Sequence, residues 1–161
     1  MALPAYLTLA GERQGPIVGS CKQKGREDTI LIEAVDHEVS IPRDSQTGLA
    51  TWKRVHHPLT VLKLVDRSSP LLYMALTSGE HMKTVELKWY TINEKGQEEN
   101  YFTTSLEDAI IVSIKAFKKN CQDPAQSHLG DMEEVSFTYR KIIWRAMKDG
   151  VESEDDWSTP K

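Results

Sequence analysis

The sequence predicts a mainly β fold, a small two-sheet β-barrel or sandwich with one short α-helix near residues 69–78 and a long protruding loop near 41–50. Three observations carry this reading. Apolar side chains recur at every second position in several runs, which is the period of a strand with one buried and one wet face. Short polar links separate those runs, as in a sandwich or barrel. Only one stretch has the full punctuation of a helix.

Taken in order, Tyr6 to Leu9 and Thr29 to Val39 are the first β-rich runs. Ile41 to Ala50 fits neither strand nor helix: it holds Pro42, Asp44, Ser45, Thr47 and Gly48 and has little to bury, so it reads as an exposed loop of the kind that often carries function. Trp52 to Leu64 is a further strand-like run. The helix follows, with Ser69 placed to cap it, Pro70 at the first helical position, Gly79 after the last turn, and Leu72, Ala75 and Leu76 as its apolar stripe. It is expected to plug an end or side of the barrel.

Met82 to Ile92 gives the clearest strand, with Val85, Leu87 and Trp89 on one face and Thr84, Glu86, Lys88 and Tyr90 on the other. Glu94-Lys95-Gly96-Gln97 reads as a hairpin turn, Gly96 supplying the positive φ. Tyr101 to Thr104 begins a strand that leads into Asp108 to Phe117, where Ile110, Val112, Ile114 and Ala116 are expected to point inward. Asn120 to Asp131 is a second loop. Val135, Phe137 and Tyr139 resume the alternation, which blurs at Ile142, Ile143 and Trp144 as at a bulge or a stretch covered on both faces.

With 161 residues and no internal repeat or linker, the chain reads as one domain ending in a short acidic tail over about 150–161. Glu152, Glu154, Asp155 and Asp156 there are expected to be solvated. The net charge of −4 and pI near 5.7 oppose nucleic-acid binding, which needs clustered Lys and Arg, and oppose a basic membrane-surface patch. No apolar run approaches the ~18 residues that span a bilayer, so membrane insertion is not expected. Met1 to Gly11 is apolar but short, contains Pro4 and lacks a basic start, so it does not read as a signal peptide. Synthesis in the cytoplasm, and export only by some other route, are the expectation. Cys21 and Cys121 are too far apart in sequence for a CxxC site and read as free thiols.

A search for chemistry returns little. His37, His56, His57, His81 and His128 form no HExxH or HxH set, and adjacent His56 and His57 on a strand point to opposite faces. There is no GxSxG elbow, P-loop or GxGxxG, and no residue stands out as catalytic. Neither a metal nor a cofactor is expected. A carboxylate pair with glycosidase spacing has no support beyond the number of acidic residues.

Arg54, His56, Pro58 and Leu59, followed by Lys63, Asp66, Ser68-Ser69-Pro70, Leu72 and Ala75, resemble the haemolysin-coregulated protein (Hcp) family, the tube subunits of bacterial type VI secretion. The likeness continues through Trp89-Tyr90, Gly96-Gln97-Glu98, Tyr101-Phe102 and Leu106-Glu107, and closes with Glu134, Phe137, Tyr139, Ile142 and Trp144. Upstream, Gly19-Ser20, His37, Pro42, Asp44, Thr47 and Gly48 also fit. The resemblance implies a small two-sheet barrel that forms homohexameric rings. It further implies that the rings stack into a tube fired by a contractile sheath from a baseplate, with a spike protein at the tip and small effector proteins in the lumen.

By this resemblance Ile41, Pro42, Arg43, Asp44, Ser45, Gln46, Thr47, Gly48 and Leu49 form the loop that reaches a neighbouring subunit or ring. Arg54 and His56 are candidate polar interface residues, although strand packing accounts for them equally well. Asp36, Glu38, Glu86 and Lys88 are candidate lumen-facing residues, since each lies on the wet face of a strand, although a face on the outside of the ring would look the same. No toxin domain is expected after Trp157, so any cargo is separate. A phage-type tail tube protein shares the implied architecture. A small β-barrel enzyme or ligand-binding protein is the third reading.

Overall fold

The computed structural model describes residues 2–51 and 53–159. In chain order the described elements are β1 (Ala5–Gly11), β2 (Gly15–Ile17), β3 (Ile30–Asp36), β4 (Val39–Ser40), β5 (Val55–His56), β6 (Leu59–Leu64), α1 (Ser69–Ser78), β7 (His81–Ile92), β8 (Glu98–Glu107), β9 (Ala109–Phe117), β10 (Met132–Thr138), β11 (Lys141–Ala146) and β12 (Val151–Asp156). Strands β1, β7, β9, β10, β6 and β3 pair in a closed circuit, because β1 joins β7 as well as β3. That closure is the barrel. β8, β11 and β12 continue outward from β7 as a wing, and β2 borders β1, so the two free margins of the sheet are β12 and β2.

The barrel interior follows from the alternation. Leu7 and Leu9 of β1, Ile30 and Ile32 of β3, Leu59 and Val61 of β6, Val85 and Leu87 of β7, and Val135 and Phe137 of β10 all point inward and are fully buried. Each such side chain contributes about 1.5–3 kcal/mol by leaving water. The β7–β8 turn is as expected, with Gly96 at φ 75°. Outside the barrel, the Arg26 guanidinium lies 4.7 Å from the Tyr6 ring centroid and 4.2 Å from that of Tyr90, and it pairs with Glu98 at 2.7 Å.

The helix spans Ser69–Ser78, with Leu72 and Ala75 buried and Gly79 closing it at φ 64°. Its N-cap is Ser68, not Ser69. The reason is a buried polar cluster that takes the Ser69 hydroxyl elsewhere. The β6 alternation turns Lys63 into the interior, where its ammonium meets Glu133, directly opposite on β10, and also Asp66 and Ser69 Oγ. Ser69 Oγ in turn donates to Glu133 at 2.6 Å and accepts from the Asp66 N–H. The start of α1 is thereby tied to the barrel wall.

Four expectations are corrected. In β9 the inward residues are Ala109, Ile111 and Ile114, so Ile114 is as expected, whereas Val112 is 45% exposed. Ser136 pairs with Ser113 and Phe137 with Ile111, so Val112 is an extra, bulged residue that shifts the phase of the strand. The blur at Ile142 is not a bulge: it follows a change of strand, from β10 in the barrel to β11 in the wing, whose residues are all at least partly covered, as the alternative reading expected. The run from Trp52 to Leu64 is interrupted: β5 ends at His56 and β6 begins at Leu59, with Pro58, which has no N–H to pair, between them. Trp52 itself lies outside the described residues. The acidic tail is in large part β12, paired along β11 from Lys141–Asp156 to Ala146–Val151, and Asp155 is buried.

Candidate functional site

The segment from Ile41 to Ala50 projects as an ordered arm and not as a loose loop. Its base is the β4–β5 pair, Val39 opposite His56 and Ser40 opposite Val55. Farther out, the Thr51 N–H donates to the Pro42 carbonyl at 2.9 Å, and Arg43 bridges Ala50. Asp44 organises the tip. Its Oδ1 accepts from the Gln46 and Thr47 N–H groups at 2.8 and 2.9 Å, and its carbonyl accepts from Gly48, whose φ is 72°. These donors, Thr47 first, hold the Asp44 carboxyl below the usual carboxylate range. Every residue of the arm is exposed, Ile41 at 50% and Leu49 at 69%. Two large apolar side chains thus stand in water on a structured finger.

Arg54 and His56 root the arm within the same chain. Arg54 Nε donates to Asp155 Oδ2 at 2.5 Å, and its Nη2 donates to the carbonyls of Asp156 and Thr159. His56 is buried, with Nε2 2.7 Å from Asp155 Oδ2 and Nδ1 2.6 Å from the Tyr139 hydroxyl. When His56 is neutral and donates from Nε2 to the carboxylate, Nδ1 accepts the Tyr139 proton, and the Tyr139 oxygen accepts from His37 Nε2 at 2.9 Å. Trp157 packs on His56, centroids 5.3 Å apart, and donates from Nε1 to the Tyr139 carbonyl. Burial, reinforced by Asp155, pushes the Tyr139 phenol well above its usual range. Burial, then the neighbouring His56, holds the His37 imidazole below its ordinary value.

The hydrogen bonds of Arg54 and His56 are therefore intrachain, and Tyr139, Asp155, Trp157 and His37 complete a cluster that the sequence reading did not assemble. One signal was present: Arg54 and His56 are two residues apart, so a strand puts both donors on one face and demands a shared acceptor. His57 faces the other way, is exposed, and meets Ser40 Oγ.

The four candidate lumen residues fall at two places in the fold. Glu86 and Lys88 sit 3.5 Å apart on the outer face of β7, over Thr8 of β1 and Ser105 of β8. Asp36 is also outward, opposite Thr60 at the far end of β3 where Val35 turns inward, and Glu38 is at the arm base. Among the described residues no cluster of three or more His, Cys, Asp or Glu side chains is placed to hold a metal, and no helix is long and apolar enough to cross a membrane. Cys21 and Cys121 are free thiols.

Residues 6–145 match the family described as "Type VI secretion system effector, Hcp". The chain is 47% identical to the "Major exported protein" of Pseudomonas aeruginosa, over 99% of this chain and 98% of that protein. Among solved structures, the Hcp1 protein from E. coli EAEC 042 superposes with a TM-score of 0.86 at 35% identity, covering 97% of this chain and 99% of the other. The secreted protein Hcp3 from Pseudomonas aeruginosa does so with a TM-score of 0.80 at 39% identity, again covering 97% and 99%. The chain therefore belongs to the Hcp family of exported type VI secretion proteins, whose role is structural and not enzymatic.

Proposed function

We propose that the chain assembles into homohexameric rings that stack into the inner tube of a type VI apparatus. Sheath contraction expels this tube, with a spike protein at its tip and small effectors in its lumen. The observation that carries the reading is the arm: a hydrogen-bonded finger with exposed Ile41 and Leu49, held by a buried polar cluster, in a chain of this family. A rigid apolar projection costs solubility unless it is covered, and a head-to-tail contact requires such a projection on one side of each subunit and a different, complementary patch on another.

In this reading residues 41–49 contact the neighbouring copy, and Arg54 and His56 act by fixing the arm's direction from within their own chain. Glu86 and Lys88, a charge pair on the outer face of β7, are the better candidates for the lumen wall; Asp36 and Glu38 belong to the arm's base. Synthesis in the cytoplasm and exit through the apparatus complete the proposal. Negative-stain microscopy of the purified protein tests it: uniform six-fold rings are expected, and a strictly monomeric species across a wide concentration range would sink it. A gene neighbourhood with a sheath and ATPase, as opposed to phage tail genes, separates this function from that of a phage-type tube.

A further inference from the structure

The arm and an apolar groove lie at opposite ends of one pair of strands. β3 and β6 run side by side and antiparallel, Asp36 opposite Thr60 and Ile32 opposite Lys63. The arm leaves the barrel where β3 ends and returns just before β6 begins. Where β3 begins and β6 ends there is a groove of about 540 Å³, lined by Cys21, Lys22, Leu31, Leu64, Val65 and Asp66 among others. Leu64, the last residue of β6, and Val65 after it are 41% and 49% exposed, whereas the inward residues of that strand are fully buried. The length of β3, about 20 Å at the usual strand rise, separates the two features, so an arm does not reach the groove of its own chain.

Two copies placed head to tail bring them together. The arm offers Ile41 and Leu49 beside the Asp44 carboxylate; the groove offers Leu31, Leu64 and Val65 beside the Lys22 cation, its Asp66 being already paired with Lys63. We propose that Leu49 of one copy seats in the Leu31–Leu64–Val65 groove of the next. The inference rests on the self-assembly reading and names its receiving surface. Because each chain carries one arm and one groove at opposite ends, the contact is heterologous and leaves a free arm and a free groove on every joined pair.

Cys21 is half-exposed in the groove and serves as a native reporter. In a variant combining Leu49→Cys with Cys121→Ser, a short bis-maleimide should join arm to groove. The expected result is a ladder of cross-linked chains extending beyond dimers on a denaturing gel, lost when Cys21→Ser is added. Arm-to-arm collision stops at a dimer. Rings seen by microscopy in the same sample, with nothing longer than a dimer on the gel, would overturn the groove assignment while leaving ring assembly standing. A parent chain that stays strictly monomeric would overturn both. Protection of Cys21 by an added small protein, without a ladder, would make the groove a cargo site instead and equally overturn the proposal. A second variant, Leu64→Asp, should raise the concentration needed for association at least about tenfold, with the monomer's circular dichroism unchanged.

Discussion

A proton added to His37 places a positive charge in a half-buried site beside His56, where burial already disfavours it. The unfolded chain has no such penalty, so over the window below the ordinary histidine value of about 6.5 it binds more protons than the folded one. The contribution of His37 to stability is therefore fully present above that value and is lost as pH falls through the lowered folded value. Urea midpoints are expected to drop between about pH 7.5 and pH 5.5, and His37→Gln, which keeps a donor for Tyr139, should flatten the slope. The carboxyls of Asp44 and Asp66 are also held low, but they titrate below the ordinary carboxylate value of about 3.9 and so fall outside this window. An unchanged slope in the variant would show that His37 is not the responding group.

Among the elements, the joint between β6, β10 and α1 has the highest stakes, because Lys63 and Glu133 are both fully shielded from solvent. Removing one partner leaves a buried charge uncompensated. Lys63→Met is thus expected to cost about 3–5 kcal/mol, and Lys63→Met with Glu133→Met far less than twice that, since the pair is replaced by apolar volume. Urea unfolding of the two single variants and the double variant closes the cycle; additive losses would mean that the pair is not coupled. The same joint shows what a sequence conveys and what it conceals. A strand over 59–64 has residues 59, 61 and 63 on one face, so an inward lysine follows from the period alone, but its partner Glu133 lies seventy residues away and is fixed only by β10–β6 register. The single bulged residue in β9 shifted the phase of the residues before it and left Ile114 inward, for the same reason: nothing local announces a bulge.

At the scale of the molecule, the strands, the hairpin turn and the helix could be read from period and punctuation because those signals are local. The anchorage of the arm could not. Asp155 sits among four carboxylates that resemble a solvated tail, and only the pairing of β12 with β11 turns it toward Arg54 and His56. The arm was recognisable as an exposed segment by its lack of apolar periodicity, but its order depends on the Asp44 turn and that remote cluster. This division of labour yields a prediction about the whole. The barrel core includes none of residues 41–51, all of which are exposed, so folding and arm should separate cleanly. Arg43 and Ala50 already face each other as a bridged pair, which is the geometry an Asn-Gly turn closes. Replacing residues 44–49 with Asn-Gly is expected to leave the thermal midpoint within a few degrees of the parent, since no buried apolar surface is removed. Ring or tube assembly should disappear at concentrations where the parent is fully assembled, as judged by sedimentation and negative stain. Intact assembly by the shortened chain would place the inter-subunit contact elsewhere, on the β2 or β12 margin of the sheet; a large loss of midpoint would instead mean that the arm supports its own barrel.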